Sequence, residues 1–316
     1  MRKMILFFII ATVFISSCTR KESNIGEIAN PIVIGLSNPY FEKLTKDDIK
    51  LLEKRIIKDT GYDVIIKKFD DSIELIKHIG SKRTDIAFTT LNEYLIAREE
   101  YRVQPILSII RNGKKEYYGV IATLDENIKS IHMLNGKKFV SRSPYSVSGF
   151  VLPSMLFLKA DIKVDFIFSG SFEESYKMLK EKKADAGGFY KNFALDHKDL
   201  KVIYEIGPVP NEPVIARKRL KKEIIDKIKN EIISLSNDKE FKEIFKKMAD
   251  IDSFSEANVS DYVEIHNVIK NYSNGIYSLI PDGVSIKKLN EEYNFNWFIL
   301  LFLYYNWLVF FCFFFT

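Results

Sequence analysis

The residues best suited to chemistry are Ser143-Pro144-Tyr145-Ser146-Val147-Ser148-Gly149, followed by Phe150-Val151-Leu152-Pro153. Lys138-Phe139-Val140 before them reads as a short strand, and Ser154 to Ala160 after them reads as an apolar helix. A strand-to-helix turn of this kind binds anions. The first N–H groups of a helix have no internal partner, and the helix dipole adds roughly half a positive charge there. Ser146 and Ser148 add hydroxyl donors, Val147 adds a backbone N–H, and Gly149 admits a ligand close to the backbone. The plainer alternative is that Ser146 simply caps a helix, as serine commonly does.

Other chemistries find little support. Asp70-Asp71 and Glu173-Glu174 are carboxylate pairs, but adjacent residues do not share a helix face, so they read as solvated surface. The chain has no nucleophile elbow, no HExxH and no Walker loop. The two cysteines, Cys18 and Cys312, lie near opposite ends, and the four histidines, His78, His132, His197 and His266, are scattered. We therefore expect no enzyme activity, no metal, no cofactor and no disulfide framework. The chain has 316 residues and a net charge of +5 spread along its length, which makes no nucleic-acid stripe.

The elements that must position the turn read as alternating strands and helices. Pro31–Leu36, Tyr62–Phe69, Asp85–Phe88 and Ile106–Arg111 read as strands. Helices follow from Thr45 to about Lys58, from Ser72, and from Asn92 to Glu100, while Ser37–Tyr40 reads as a turn. Such alternation predicts parallel sheet covered by helices, with ligands held beyond the carboxyl ends of the strands. The pattern then restarts. Glu116–Ala122, Lys138–Val140, Val164–Phe168 and Ala184–Phe189 read as strands, with a helix from Gly170 to about Lys182. Arg83-Thr84-Asp85-Ile86-Ala87 in the first unit matches Lys183-Ala184-Asp185-Ala186-Gly187 in the second. Two similar lobes with a cleft between them are expected. Val202–Ile206 and Pro213–Ala216 read as strands leading back to the first lobe, followed by helices over Leu220–Leu235 and Lys239–Met248. Residues 250–280 read as mixed, ending in a helix from about Asp261 to Ile269.

The ends read as membrane signals. Arg2 and Lys3, an apolar run from Met4 to Ile15, and then Ile15-Ser16-Ser17-Cys18 resemble a bacterial lipoprotein signal, implying cleavage before Cys18 and a lipid on it; a plain secretory signal or uncleaved anchor is the alternative. Trp297 to Phe315 is apolar except for Asn306 and is long enough to cross about 30 Å of hydrocarbon. It reads as a transmembrane helix or as a disturbed end of a longer membrane receptor.

Three segments together resemble the phosphate/phosphite/phosphonate-binding family of periplasmic solute-binding proteins, the receptors of ABC importers. Phe88 to Ala97 looks like the family's first-lobe turn, with Tyr94 as its tyrosine. Ser143 to Gly149 looks like its Asp-Pro-Xaa-Ser-Thr-Ser-Gly oxyanion loop. Phe168-Ser169-Gly170-Ser171 and Ile206 to Pro213 look like its second-lobe turn and return hinge. The resemblance implies an α/β, two-lobed, type II (Venus-flytrap) fold, to which the C-terminal hydrophobic helix is appended. The expected organisation is a signal peptide (1–17), a tether (18–30), lobe 1 (31–111 and 212–280), lobe 2 (112–211), a linker (281–296) and the helix (297–315). The resemblance also implies an oxyanion held by Ser146, Val147 and Ser148, with Tyr94 and Tyr40 closing from the other lobe through hinge motion near 110–117 and 204–213. Tyr190 is expected to line the pocket, with a core aromatic as the alternative. The chain departs from the family in Val147 for threonine, in Phe172-Glu173 for His-Asp, and in Tyr190-Lys191 where an acidic residue commonly stands. An aminophosphonate therefore fits less well than an anion with an apolar or hydroxylated remainder. The expected role is an extracytoplasmic, membrane-anchored lipoprotein of the cell envelope that captures a phosphorus oxyanion for an ABC permease. A ligand-sensing domain of a membrane receptor is the alternative.

Overall fold

The computed structural model describes residues 22–277. The signal peptide, Cys18, the linker and the apolar segment 297–315 lie outside the described residues. In chain order the strands are β1 (Ile32–Ser37), β2 (Val64–Phe69), β3 (Ile86–Phe88), β4 (Gln104–Ile110), β5 (Glu116–Thr123), β6 (Lys137–Ser141), β7 (Val164–Phe168), β8 (Ala186–Tyr190), β9 (Lys201–Pro210), β10 (Pro213–Ala216) and β11 (Ser253–Glu256). The chain divides into two units. Among the described residues, one holds 22–115 and again 212–258; the other holds 116–211 and 259–277.

The first unit is built on a sheet in spatial order β11-β4-β10-β3-β1-β2. β1 runs parallel to β2 and β3, while β10 is antiparallel to β3 and β4. The helix Lys46–Thr60 makes the first crossover. Thr45 and Asp48 form a reciprocal capping box at its start, and Gly61 ends it in the left-handed region at φ 73°. Its inward face carries Leu52 and Ile56, which join Ile32, Ile34 and Val64 in the core. The expected turn at Ser37–Tyr40 is instead a single helical turn, Asn38–Phe41, because Pro39 sits where a helix start tolerates it. β11, inside the stretch expected to be mixed, adds an antiparallel edge strand beside β4.

The second unit has a sheet in spatial order β7-β6-β8-β5-β9. β6 is parallel to β7 and β8, and β5 is antiparallel to β8 and β9. One core packs Phe139 edge-on to Phe157 and Phe166; the other packs Phe189 and Phe193 against Phe172. The helix Lys191–Asp196 had no clear signal in the sequence; its Phe193 and Ala194 are buried in the second of these cores.

The internal repeat has a physical cause. Asp85 donates its N–H to the Val33 carbonyl (2.9 Å) and accepts the Val33 N–H on its carboxylate (2.9 Å). Asp185 does the same with Lys138, at 2.9 and 2.8 Å. In each unit one aspartate pins the start of a strand to its parallel neighbour, β3 to β1 and β8 to β6.

Two boundary expectations are corrected. Residues 22–30 are not a free tether. Ile25 is buried in the first core, the Asp63 N–H donates to the Gly26 carbonyl (2.8 Å), and Glu22 pairs with Arg217 (2.7 Å) and Lys82 (3.0 Å). Nor do residues 259–277 return to the first unit: the helix Val263–Tyr277 packs on the helix Leu152–Lys159 of the second and buries Ile269. Among the described residues, no helix is long and apolar enough to cross a membrane.

Candidate functional site

After Ser141 the chain leaves the sheet of the second unit. Ser143 fastens the loop, its carbonyl accepting the Ser146 N–H (3.2 Å) and its hydroxyl the Tyr145 N–H (3.3 Å). From Val147 the backbone winds into a wide π-helical turn, Val147–Val151, which runs straight into the helix Leu152–Lys159. Ser146 caps that turn: its Oγ accepts the Gly149 N–H (3.1 Å), and its carbonyl accepts the N–H groups of Phe150 (2.8 Å) and Val151 (3.0 Å). The cap reading of Ser146 is thus correct, and it leaves the hydroxyl proton available to a ligand. No described group accepts from the N–H of Val147 or Ser148, although both residues are buried. Buried, unpaired backbone donors are costly unless something accepts from them. Donors of this kind at a helix start are suited to an anion.

Two glycines allow the turn to sit where it does. A Cβ on Gly188, in β8, would lie 2.2 Å from the Gly149 carbonyl oxygen, and one on Gly119, in β5, 2.8 Å from Ser148 Cβ. The turn therefore rests on bare backbone of the central strands. Gly119 and Tyr190 are register partners, and partners share a face of the sheet, so Tyr190 leaves the sheet on the side that Ser148 occupies. Its ring meets Phe172 edge-on at 5.1 Å. The turn before Phe172 is tied to the same strand end: the Ser169 and Gly170 N–H groups donate to the carbonyls of Ser141 (3.0 Å) and Arg142 (2.9 Å). Beyond β8, Lys191 is paired with Glu205 at 2.5 Å.

In the first unit, Tyr40 and Tyr94 flank the Thr89–Thr90 turn that follows β3. Tyr40 is 1% exposed, donates its hydroxyl to the Thr89 carbonyl (3.1 Å) and packs on Phe88. Burial, with the Glu212 charge adding, pushes its phenol well above the ordinary value. Tyr94 is fully buried, and its N–H donates to the Thr90 carbonyl (3.0 Å). Beside them is a residue the sequence reading passed over, Glu93. Its buried carboxylate accepts the Thr90 N–H (2.7 Å) and the Ser72 hydroxyl (2.5 Å). Burial raises its pKa, and those hydrogen bonds only partly offset the rise. The signal for it was present as Thr90-Leu91-Asn92-Glu93, a capping box. Nothing comparable marks Arg111, which pairs with Glu212 at 2.5 Å and donates to the Ala249 carbonyl at 2.7 Å.

The structure thus brings Ser146, Val147 and Ser148 together in one turn, with Tyr190 on the adjoining face; Tyr40 and Tyr94 are grouped separately in the first unit. Cys18 lies outside the described residues. Among the described residues no cluster of His, Cys, Asp and Glu could hold a metal ion. An apolar cavity bordered by Ile34, Leu36, Phe88 and Phe245 lies within the first unit's packing.

Known proteins resemble this chain in sequence and in fold. The family described as "ABC transporter, phosphonate, periplasmic substrate-binding protein" matches residues 39–262. The phosphate-import protein PhnD of Mycolicibacterium smegmatis is 26% identical over 220 residues, covering 62% of this chain and 67% of that protein. A binding-protein component of an ABC phosphonate transporter from Pseudomonas aeruginosa superposes with a TM-score of 0.63 at 18% identity, over 83% of this chain and 94% of that one. PhnD1 from Prochlorococcus marinus, solved in complex with methylphosphonate, gives 0.65 at 17% identity, over 77% and 98%. Likeness at such identities speaks to the fold, which is the two-sheet α/β periplasmic-binding-protein fold; the family consists of binding proteins rather than enzymes. Since the match begins just after β1 and runs past β11, over more than half of the chain, the chain belongs to the periplasmic substrate-binding proteins of phosphonate ABC transporters.

Proposed function

We propose that this protein captures a small phosphorus oxyanion outside the cytoplasm and passes it to an ABC permease, held at the membrane by a lipid on Cys18. The observation that carries the ligand reading is the turn Ser146–Gly149. It offers two buried N–H donors and two hydroxyls at a helix start, backed by glycines. Oriented amides and hydroxyls can hold an oxyanion in a dry site without a buried cation at the centre. Ser146, Val147 and Ser148 bind the oxygens in this reading, and Tyr190 with Phe172 walls the organic remainder. Tyr40 and Tyr94 are the first unit's proposed contributors, supported by their place beside the turn at the carboxyl end of β3.

The remainder of the ligand is apolar or hydroxylated. The position after β8 carries Lys191, already paired with Glu205, and the second turn carries Phe172; neither would attract an ammonium group. Family membership favours the importer reading over a sensor. The segment 297–315 enters the proposal as a second membrane attachment.

The test is thermal stabilisation of the full chain in detergent by phosphate, phosphite, alkylphosphonates and 2-aminoethylphosphonate. A ligand at a hundred times its dissociation constant adds about 2.7 kcal/mol. We expect a shift with at least one alkylphosphonate or phosphite, abolished in Ser146→Ala/Ser148→Ala. No shift with any of them would sink the ligand reading. Incorporation of a fatty-acid analogue, lost in Cys18→Ser, tests the anchor.

A further inference from the structure

Arg142 joins the end of β6 to the oxyanion loop. Its carbonyl is fixed by the Gly170 N–H at 2.9 Å, and its guanidinium carbon lies 5.3 Å from the centroid of the Phe172 ring. Although the side chain is half-buried, no described residue accepts a hydrogen bond from its guanidinium and no described carboxylate pairs with it. Three other arginines have carboxylate partners: Arg55 has Asp59, Arg111 has Glu212, and Arg217 has Asp85 and Glu22. Arg142 is held instead by the face of an aromatic ring, which attracts the cation without cancelling its charge and leaves its N–H edge to donate elsewhere. The residues around it are those already placed at the site. Ser143 follows it, the Ser169–Ser171 turn is tied to it, and Phe172 meets both its guanidinium and Tyr190.

We infer that Arg142 reads the charge of the ligand: it selects a doubly ionised phosphonate over a singly charged isostere of the same shape. The inference rests on the turn being the oxyanion site, as proposed above. The turn itself offers only neutral donors, which suit any tetrahedral oxyanion, sulfonate included. A guanidinium adds a full positive charge, and its planar fork matches two oxygens of one phosphoryl group. Phe172 thus has two tasks. It seats the arginine, and with Tyr190 it offers an apolar wall to the group carried on phosphorus.

Methylphosphonate and methanesulfonate have nearly the same shape, as do phenylphosphonate and benzenesulfonate, but each sulfonate keeps a single charge. Isothermal titration of the full chain with both pairs, at a pH where the phosphonates are doubly ionised, is the experiment. Wild type should prefer phosphonate by about 10–100-fold, the range of a hydrogen bond to a charged group. Arg142→Gln should bring the ratio at least tenfold closer to one by weakening the phosphonate alone, and Arg142→Lys should restore part of the preference. Wild-type phosphonate affinity should climb as rising pH completes the ligand's second ionisation, and Arg142→Gln should flatten that climb. An unchanged ratio in Arg142→Gln, or no preference in wild type, overturns the inference and leaves the oxyanion site standing. If wild type binds neither phosphonates nor sulfonates, the site reading falls and this inference falls with it.

Discussion

Gly188→Ala tests the architecture of the turn most directly. The new Cβ would lie 2.2 Å from the Gly149 carbonyl oxygen and 2.7 Å from its carbonyl carbon and Cα, where ordinary contact begins at 3.4 Å. All three atoms are backbone, so no side chain can swing away. The turn must retreat by about 1 Å, and overfilling of this kind typically costs about 1–3 kcal/mol. The same retreat carries the N–H groups of Val147 and Ser148 off their aim. A hydrogen bond weakens steeply outside its narrow range of length and angle, so affinity should fall by roughly 10–100-fold. Urea unfolding measures the first effect and calorimetric titration with the best phosphonate measures the second. Gly119→Ala is the graded companion, since its Cβ would meet Ser148 Cβ at 2.8 Å. Adding Ser148→Gly removes that atom, so the double variant should recover stability relative to Gly119→Ala alone, a coupling that a double-mutant cycle reads. If Gly188→Ala unfolds and binds as wild type does, the close approach does not position the turn and the reasoning is wrong.

Further expectations come from the buried charges. Arg217→Ala leaves the fully buried Asp85 without its ion partner and should cost about 3–5 kcal/mol in urea unfolding. Glu22→Ala touches a partner that is 38% exposed and should cost about 1 kcal/mol or less. Burial pushes the Glu22 carboxyl up, but Arg217 and Lys82 outweigh it and hold the group below the usual range. Its contribution is therefore complete above the ordinary carboxylate value and fades as pH falls through the lower folded value, so wild type and Glu22→Ala should converge in acid. Glu93 has the opposite sign. Burial raises its folded pKa, so the stability tied to its proton is present in acid and is lost as pH rises through that value. Glu93→Gln, which keeps an acceptor for the Thr90 N–H, should gain on wild type as pH rises from acid to neutral, checked by melting temperature across pH.

The order of strands and helices was legible because each signal was local. Thr45 with Asp48, Gly61, Ser171 and the β-branched run of β1 act within a few residues of themselves. The Ser146 turn was legible for the same reason. Tyr190 was left open because its role depends on Gly119, its register partner in another strand, and no periodicity encodes that. Gly188 and Arg142 were missed on similar grounds. One matters for the atom it lacks opposite Gly149, the other for a ring supplied by a residue distant in the chain. Residues 22–30 misled because they look polar and loose, whereas what orders them is the ion pair from Arg217 and a single buried isoleucine, Ile25.

The place of β10 has a consequence for the order of assembly. β10 lies between β3 and β4, and the sheet partners of β4 are β10 and β11. As the chain emerges from its N-terminus, β4 is complete at Ile110, yet neither neighbour exists until Pro213 is reached. The other sheet needs only Glu116–Pro210, a continuous stretch. The inserted sheet can therefore close first, while β4 waits unpaired on both edges and β3 on one, the kind of surface that invites wrong pairing. Joining them means closing a loop of about a hundred residues, and a structured insert brings its own ends together and lightens that entropic cost. Assembly can thus run from the inside of the sequence outward, with the insert bringing together the two stretches of chain that complete the outer sheet.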